Sequence, residues 1–128
     1  VNWLRVGYFS FILFFSNILV DVLTSVDPGE VGGREFVVYY VINYLITAGI
    51  VFCIFSWLST IQRVRIWIHA ALVIAVFEFA SFAASFAISG GAGFSALASL
   101  DFVVLLSSAA IGVEVGLLVL KRKLYGRS

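Results

Sequence analysis

Residues 66–88 read IWIHAALVIAVFEFASFAASFAI. At ~1.5 Å rise per residue this run is as long as the hydrocarbon core of a bilayer is thick. It carries one acid, Glu78, close to its midpoint. A charge at that depth costs about 2.5–3.5 kcal/mol on insertion scales. The side chain therefore needs protein, a proton, a cation or water-filled space around it rather than lipid.

Three more apolar runs surround this one, at about residues 6–26, 36–58 and 100–120. Each is long enough to cross a bilayer as a helix. Each is also continuous and about twice the length of a barrel strand, which would alternate in polarity. The breaks are short. DPGEVGGRE, residues 27–35, holds the only proline and three glycines, which is turn chemistry. STIQRVR, residues 59–65, is basic, and SGGAGFSALAS, residues 89–99, is small and flexible. Short connections make sequential helices antiparallel neighbours. The expectation is an all-α, integral membrane four-helix bundle, up-down-up-down, forming a single domain over residues 1–128.

Composition agrees with that class. The 128 residues are 62% hydrophobic and 12% charged, with mean hydropathy +1.13, and a soluble fold of this length cannot hide that much apolar surface. The first run follows a single positive charge, as a signal peptide would, but it is long and has no clean cleavage site, so it reads as a retained span. The lone Cys53 has no internal disulfide partner and reads as a small buried apolar residue.

Orientation follows from the basic residues. With the N-terminus and C-terminus cytoplasmic, Arg5, Arg63, Arg65, Lys121, Arg122, Lys123 and Arg127 lie inside and Arg34 alone outside, seven of eight on one side. Asp27, Glu30 and Glu35 collect on the far side. Trp3, Tyr8, Tyr39, Tyr40, Trp57, Trp67 and Tyr125 fall near run ends, where interfacial anchors belong. The localisation expected is the cell membrane, and the cytoplasmic membrane in a bacterium.

Polar residues inside the runs are the candidate site. At 100° per residue, Ala71, Ala75, Glu78, Ser81 and Ser85 share one sector of the third helix, flanked by Phe79, Phe82 and Phe86. His69, the only histidine, lies nearer the cytoplasmic end. On the fourth helix Glu114 shares a face with Ser107 and Ala110. Ser108, Gly112 and Gly116 form a separate small-residue ridge of the kind that lets backbones approach closely. Two opposed packing faces suggest a partner on each side, and hence a homo-oligomer or another membrane subunit. On the first two helices Asn17 and Asp21, and Asn43 and Thr47, are paired four apart, with Tyr40 and Tyr44 beside them. These groups either line a shallow outward-facing pocket or hydrogen-bond the two helices together. Asp101 falls at the outer mouth of the fourth helix, where an acid suits the helix dipole.

From outside to inside, Asp21 or Asp101, then Glu78, Glu114 and His69 form a potential ladder of titratable groups. No lysine or arginine lies within the four runs to pair with the acids. The acids are therefore protonated, bound to a cation, or paired with another chain.

No hydrolase, zinc-protease, P-loop or dithiol motif is present, and the loops are too short for a soluble catalytic site. No catalytic residue, metal site or cofactor is expected, and no nucleic-acid surface exists. The first functional expectation is an accessory or structural subunit of a membrane complex. The alternative is an oligomeric proton- or cation-linked small transporter or channel using Glu78 and Glu114. A membrane immunity or pore-forming protein is a further alternative.

Overall fold

The structure is a computed structural model that describes residues 1–24, 32–90 and 96–126, and of residues 89 and 96–99 the backbone alone. The described residues form four helices and no strand: α1 (Trp3–Thr24), α2 (Gly33–Ile61), α3 (Ile66–Ser89) and α4 (Ala96–Tyr125). All four are long and apolar enough to cross a membrane. Asp27, Pro28 and Glu30 of the first turn lie outside the described residues, as do residues 91–95 of the third break and Arg127 of the basic tail.

Two helices outrun the apolar runs that announce them. α2 begins at Gly33 and takes in Arg34 and Glu35, while α4 continues through Lys121, Arg122 and Lys123 to Tyr125. Charged residues are good helix formers, and basic ones in a last turn suit the C-terminal dipole, so the helix does not stop where hydropathy falls. α4 also starts five residues before Asp101, which stands more than a turn inside the helix and not at its mouth.

The ends that do stop have local causes. The Asn2 side chain caps α1, its Oδ1 accepting from the Arg5 N–H at 3.2 Å. α3 starts from Arg65, held in the left-handed region at φ 54°, and closes on Gly90 at φ 69°, whose N–H bonds the Phe86 carbonyl at 2.9 Å.

The core takes residues from every helix: Val6, Phe9 and Leu13 from α1; Val51, Ile54, Phe55 and Leu58 from α2; Ile66, Ala70, Val73 and Phe77 from α3; Leu105, Ala109 and Val113 from α4. These positions recur every three or four residues, as a helix face requires. They also cluster at one end. They come from the first half of α1, the second half of α2 and the first half of α3. Phe9 and Trp57 meet edge-on there, with centroids 5.2 Å apart. The last turns of α3 are left open, with Ile88 88% exposed.

The closest packing joins α2 to α4, then α1 to α3. This differs from the sequential neighbours that short loops suggest. The reason is in the glycines. A Cβ on Gly112 would sit 2.6 Å from the Phe52 carbonyl oxygen, and one on Gly116 would overlap Ser59 Oγ and the Ser56 carbonyl. Without side chains at these two positions, α4 lies directly on the α2 backbone. The ridge that sequence offered to a second chain is thus filled by α2 of the same chain, and it gives no support to oligomerisation.

The inward faces of α2 and α3 are set by the same packing. Cys53 is exposed and not buried, because the inward arc of α2 is Val51, Ile54, Phe55, Leu58 and Ser59. On α3 the inward arc is Ile66, His69, Ala70, Val73 and Phe77, so Ala71, Ala75 and Ser85 are exposed and Glu78 and Ser81 are half-buried on its edge. The sector expected to turn wholly inward does so only at that edge.

Candidate functional site

Above Leu13 and Val51 the core gives way to a cavity of about 450 Å³. α1 brings Ser16, Asn17, Asp21 and Thr24 to its wall. α2 brings a polar stripe one turn apart: Tyr40, Asn43, Tyr44 and Thr47. α3 brings Phe77 and Glu78, and α4 brings Asp101. The groups on helices one and two that sequence offered either to a shared pocket or to interhelical hydrogen bonds line one space, and Glu78 and Asp101 join them.

Hydrogen bonds fix part of this wall. Asn43 Nδ2 donates to Asp21 Oδ1 at 3.3 Å and to Thr24 Oγ1 at 2.5 Å, linking α2 to α1. Thr24 Oγ1 in turn donates to the Val20 carbonyl at 2.7 Å. Tyr44 Oη donates to Asp101 Oδ1, linking α2 to α4. Phe36, Tyr40 and Tyr44 form a row along α2, with centroid separations of 5.9 and 5.1 Å.

Not every polar group in the lining has a partner among the described residues. Glu78 has no hydrogen-bond or ion-pair partner among the described residues. The Thr47 hydroxyl oxygen is buried and has no hydrogen-bond partner among the described residues. Unmatched polar atoms in an apolar interior are costly, and each one asks what it is for. Among the described residues no lysine, arginine or histidine lines the cavity. The described lining is therefore acidic.

The rest of the proposed ladder is not assembled. Glu114 is exposed on the outer face of α4, together with Ser107 and Ala110. Its position opposite the Gly112–Gly116 seam carries it away from the cavity. His69 is buried, 3% exposed, at the other end of the bundle. Its Nε2 accepts from the Asn2 backbone N–H at 3.0 Å, and Nδ1 lies 3.0 Å from the Arg65 carbonyl oxygen, to which it donates. Both ring nitrogens are occupied structurally. Nearby, Arg5 Nη1 donates to Gln62 Oε1 at 2.7 Å and to the Ile61 carbonyl at 3.3 Å, and Gln62 Nε2 donates to the Val64 carbonyl at 2.7 Å.

Sequence reasoning placed Tyr44 beside the outer polar cluster and Asp101 at the head of the ladder, and it missed the hydrogen bond that joins them. Tyr40 and Tyr44, four apart, carried a signal for the first of these placements. Nothing local linked Asp101 to Tyr44, which is 57 residues away.

The fold and its apolar helices define the class, a four-helix bundle compatible with a multi-pass membrane protein. Compared with protein-family models, with curated proteins and with solved structures, the chain has no significant match in any of the three.

Proposed function

We propose that the chain is an integral protein of the cell membrane, up-down-up-down with both termini cytoplasmic, and that it binds and passes a cation through the cavity lined by Asp21, Glu78 and Asp101. The observation that carries this is the cavity itself: three helices each contribute a carboxylate to one space whose lining, among the described residues, holds no basic side chain. Membrane-embedded acids that face such a space are the usual apparatus of cation and proton pathways. The orientation rests on the placement of basic residues. Arg5 bonds the α2–α3 turn that carries Arg63 and Arg65, and Gly116 packs on Ser59, which brings the basic end of α4 toward the same side. Glu78 takes the central role that sequence divided between Glu78 and Glu114.

Reconstitution of the full chain into proteoliposomes tests the proposal. With an imposed membrane potential, wild-type protein should pass protons or cations at a rate that depends on pH. Glu78→Gln should abolish the flux while leaving the protein folded. Equal flux in both proteins, or none in either, sinks this reading.

A second reading is favoured by one other observation, the exposure of Glu114 on a face of α4 that looks away from the bundle. There the chain serves as a subunit of a membrane complex, and a partner helix brings a lysine or arginine to Glu114. Purification in mild detergent should then yield a stoichiometric partner that is lost from Glu114→Gln.

A further inference from the structure

Cations are held in proteins in two chemically distinct ways. A partly dehydrated metal ion needs several oxygens converging on one point at about 2.0–2.6 Å. An organic cation needs one or two carboxylates near its charged head and an apolar or aromatic surface along its body.

The cavity has the second set of features. Among the described residues no group of three or more His, Cys, Asp or Glu side chains is close enough to hold a metal ion. Asp21, Glu78 and Asp101 share a wall without sharing a point. The volume of about 450 Å³ falls within the range of about 300–1,000 Å³ that encloses small organic ligands. The aromatic row Phe36, Tyr40 and Tyr44 runs along α2 into this space, and Phe77 comes from α3. Aromatic faces attract cations through the ring quadrupole, more strongly away from water. Tyr44 ties the two kinds of wall together, since its ring belongs to the row and its hydroxyl holds Asp101. Among the described residues Glu78 remains the unpaired carboxylate of the lining.

We infer that the cavity takes an organic ammonium cation with an apolar body, its charged head set by Glu78 and Asp101 and its body lying on the Tyr40–Tyr44 row. This rests on the reading of the cavity as a cation site and names its ligand class. A single small ion would leave the aromatic row without a use; a neutral ligand would leave Glu78 without one.

The test uses the full chain in nanodiscs of zwitterionic lipid, with radiolabelled benzyltrimethylammonium as probe. Its uncharged carbon analogue, neopentylbenzene, and Na⁺ and K⁺ serve as competitors. Saturable binding of the probe is expected, weakened about tenfold by Glu78→Gln and about fivefold by Tyr44→Leu, as for an anchoring contact. Asp101→Asn provides an independent check should Glu78→Gln fail to fold, and it should weaken binding in the same direction. Ser107→Ala, on the outer face of α4, should change nothing. Na⁺ and K⁺ should displace the probe no more than ionic strength alone does. Glu78-dependent binding of ²²Na⁺ without binding of the ammonium probe overturns the ligand class and leaves the cation site standing. Displacement by neopentylbenzene as effective as by unlabelled probe overturns both, since the space is then merely apolar. Absence of binding of either cation to folded protein also overturns both.

Discussion

Where α1 begins and α2 finishes, Arg5, Gln62, His69 and the Asn2 backbone answer one another's hydrogen bonds over a filled core. Where α1 finishes and α2 begins, the helices stand around a cavity, and Glu78 lines it with no partner among the described residues. Both regions contain charged or polar side chains among apolar helices, but only one of them balances. A matched buried polar group contributes about 0.5–1.5 kcal/mol net, whereas an unmatched one costs about 1–3 kcal/mol. The closed end is therefore self-explaining as structure. The open end carries a local cost to stability, which the binding proposed above would offset.

Both ends hang on the α2–α4 seam, and the largest expected effect comes from there. Gly116→Leu forces a side chain into Ser59 and the Ser56 carbonyl, which cannot retreat because it is backbone. Overpacking of this kind should cost about 3 kcal/mol. The expected outcome is loss of monodisperse protein or a sharply lowered unfolding midpoint in detergent, together with loss of probe binding. Binding that survives a melted closed end would show that the two regions fold independently, and the contrast between them would then reflect two separate units.

His69 tests the closed end directly. His69→Leu keeps the apolar contacts but leaves the Asn2 N–H and the Arg65 carbonyl without their side-chain partner. A destabilisation of about 2 kcal/mol is expected, read from denaturant unfolding in detergent. Cation binding should be unchanged. A fall in binding with no change in stability would move His69 back toward the pathway that sequence proposed for it.

Glu78→Gln is the converse experiment on the open end. Binding should fall about tenfold, equivalent to about 1.4 kcal/mol. Stability should hold or rise, because a half-buried acid with no partner among the described residues is removed. Loss of stability would mean that Glu78 is matched by something after all, and the comparison would fail at its most important residue.

How far sequence reaches differs along the same line. The four helices were legible because about 20 unbroken apolar residues leave few alternatives. Their ends were not, since Arg34, Glu35 and Lys121 to Lys123 are compatible with helix on either side of a membrane boundary. The spacing of Asn17 with Asp21, and of Asn43 with Thr47, was enough to place each pair on one face. Glu78 lies only about 100° from the core residue Phe77, so it reaches the same cavity from the rim of the α3 core face. That depends on how far α3 is rotated in the bundle, which no single-helix pattern specifies. The Gly112–Gly116 ridge announced a close approach without naming the helix that makes it. The His69–Asn2 contact spans 67 residues and has no local trace.

Arg65 offers the smallest and most discriminating change. It occupies the left-handed region, φ 54° and ψ 43°, where a residue with a Cβ is strained by about 1–2 kcal/mol and glycine is not. Its carbonyl accepts from His69 Nδ1 and from the first N–H groups of α3, and those bonds involve only backbone atoms of residue 65. Arg65→Gly should therefore keep the closed end intact and relieve strain. The gain is reduced by the greater freedom of glycine in the unfolded chain. A net stabilisation of under about 1 kcal/mol is expected, measurable as a small upward shift in the unfolding midpoint. If the arginine side chain itself holds this end together, the same substitution lowers the midpoint, and the closed end owes its order to charge rather than to matched hydrogen bonds.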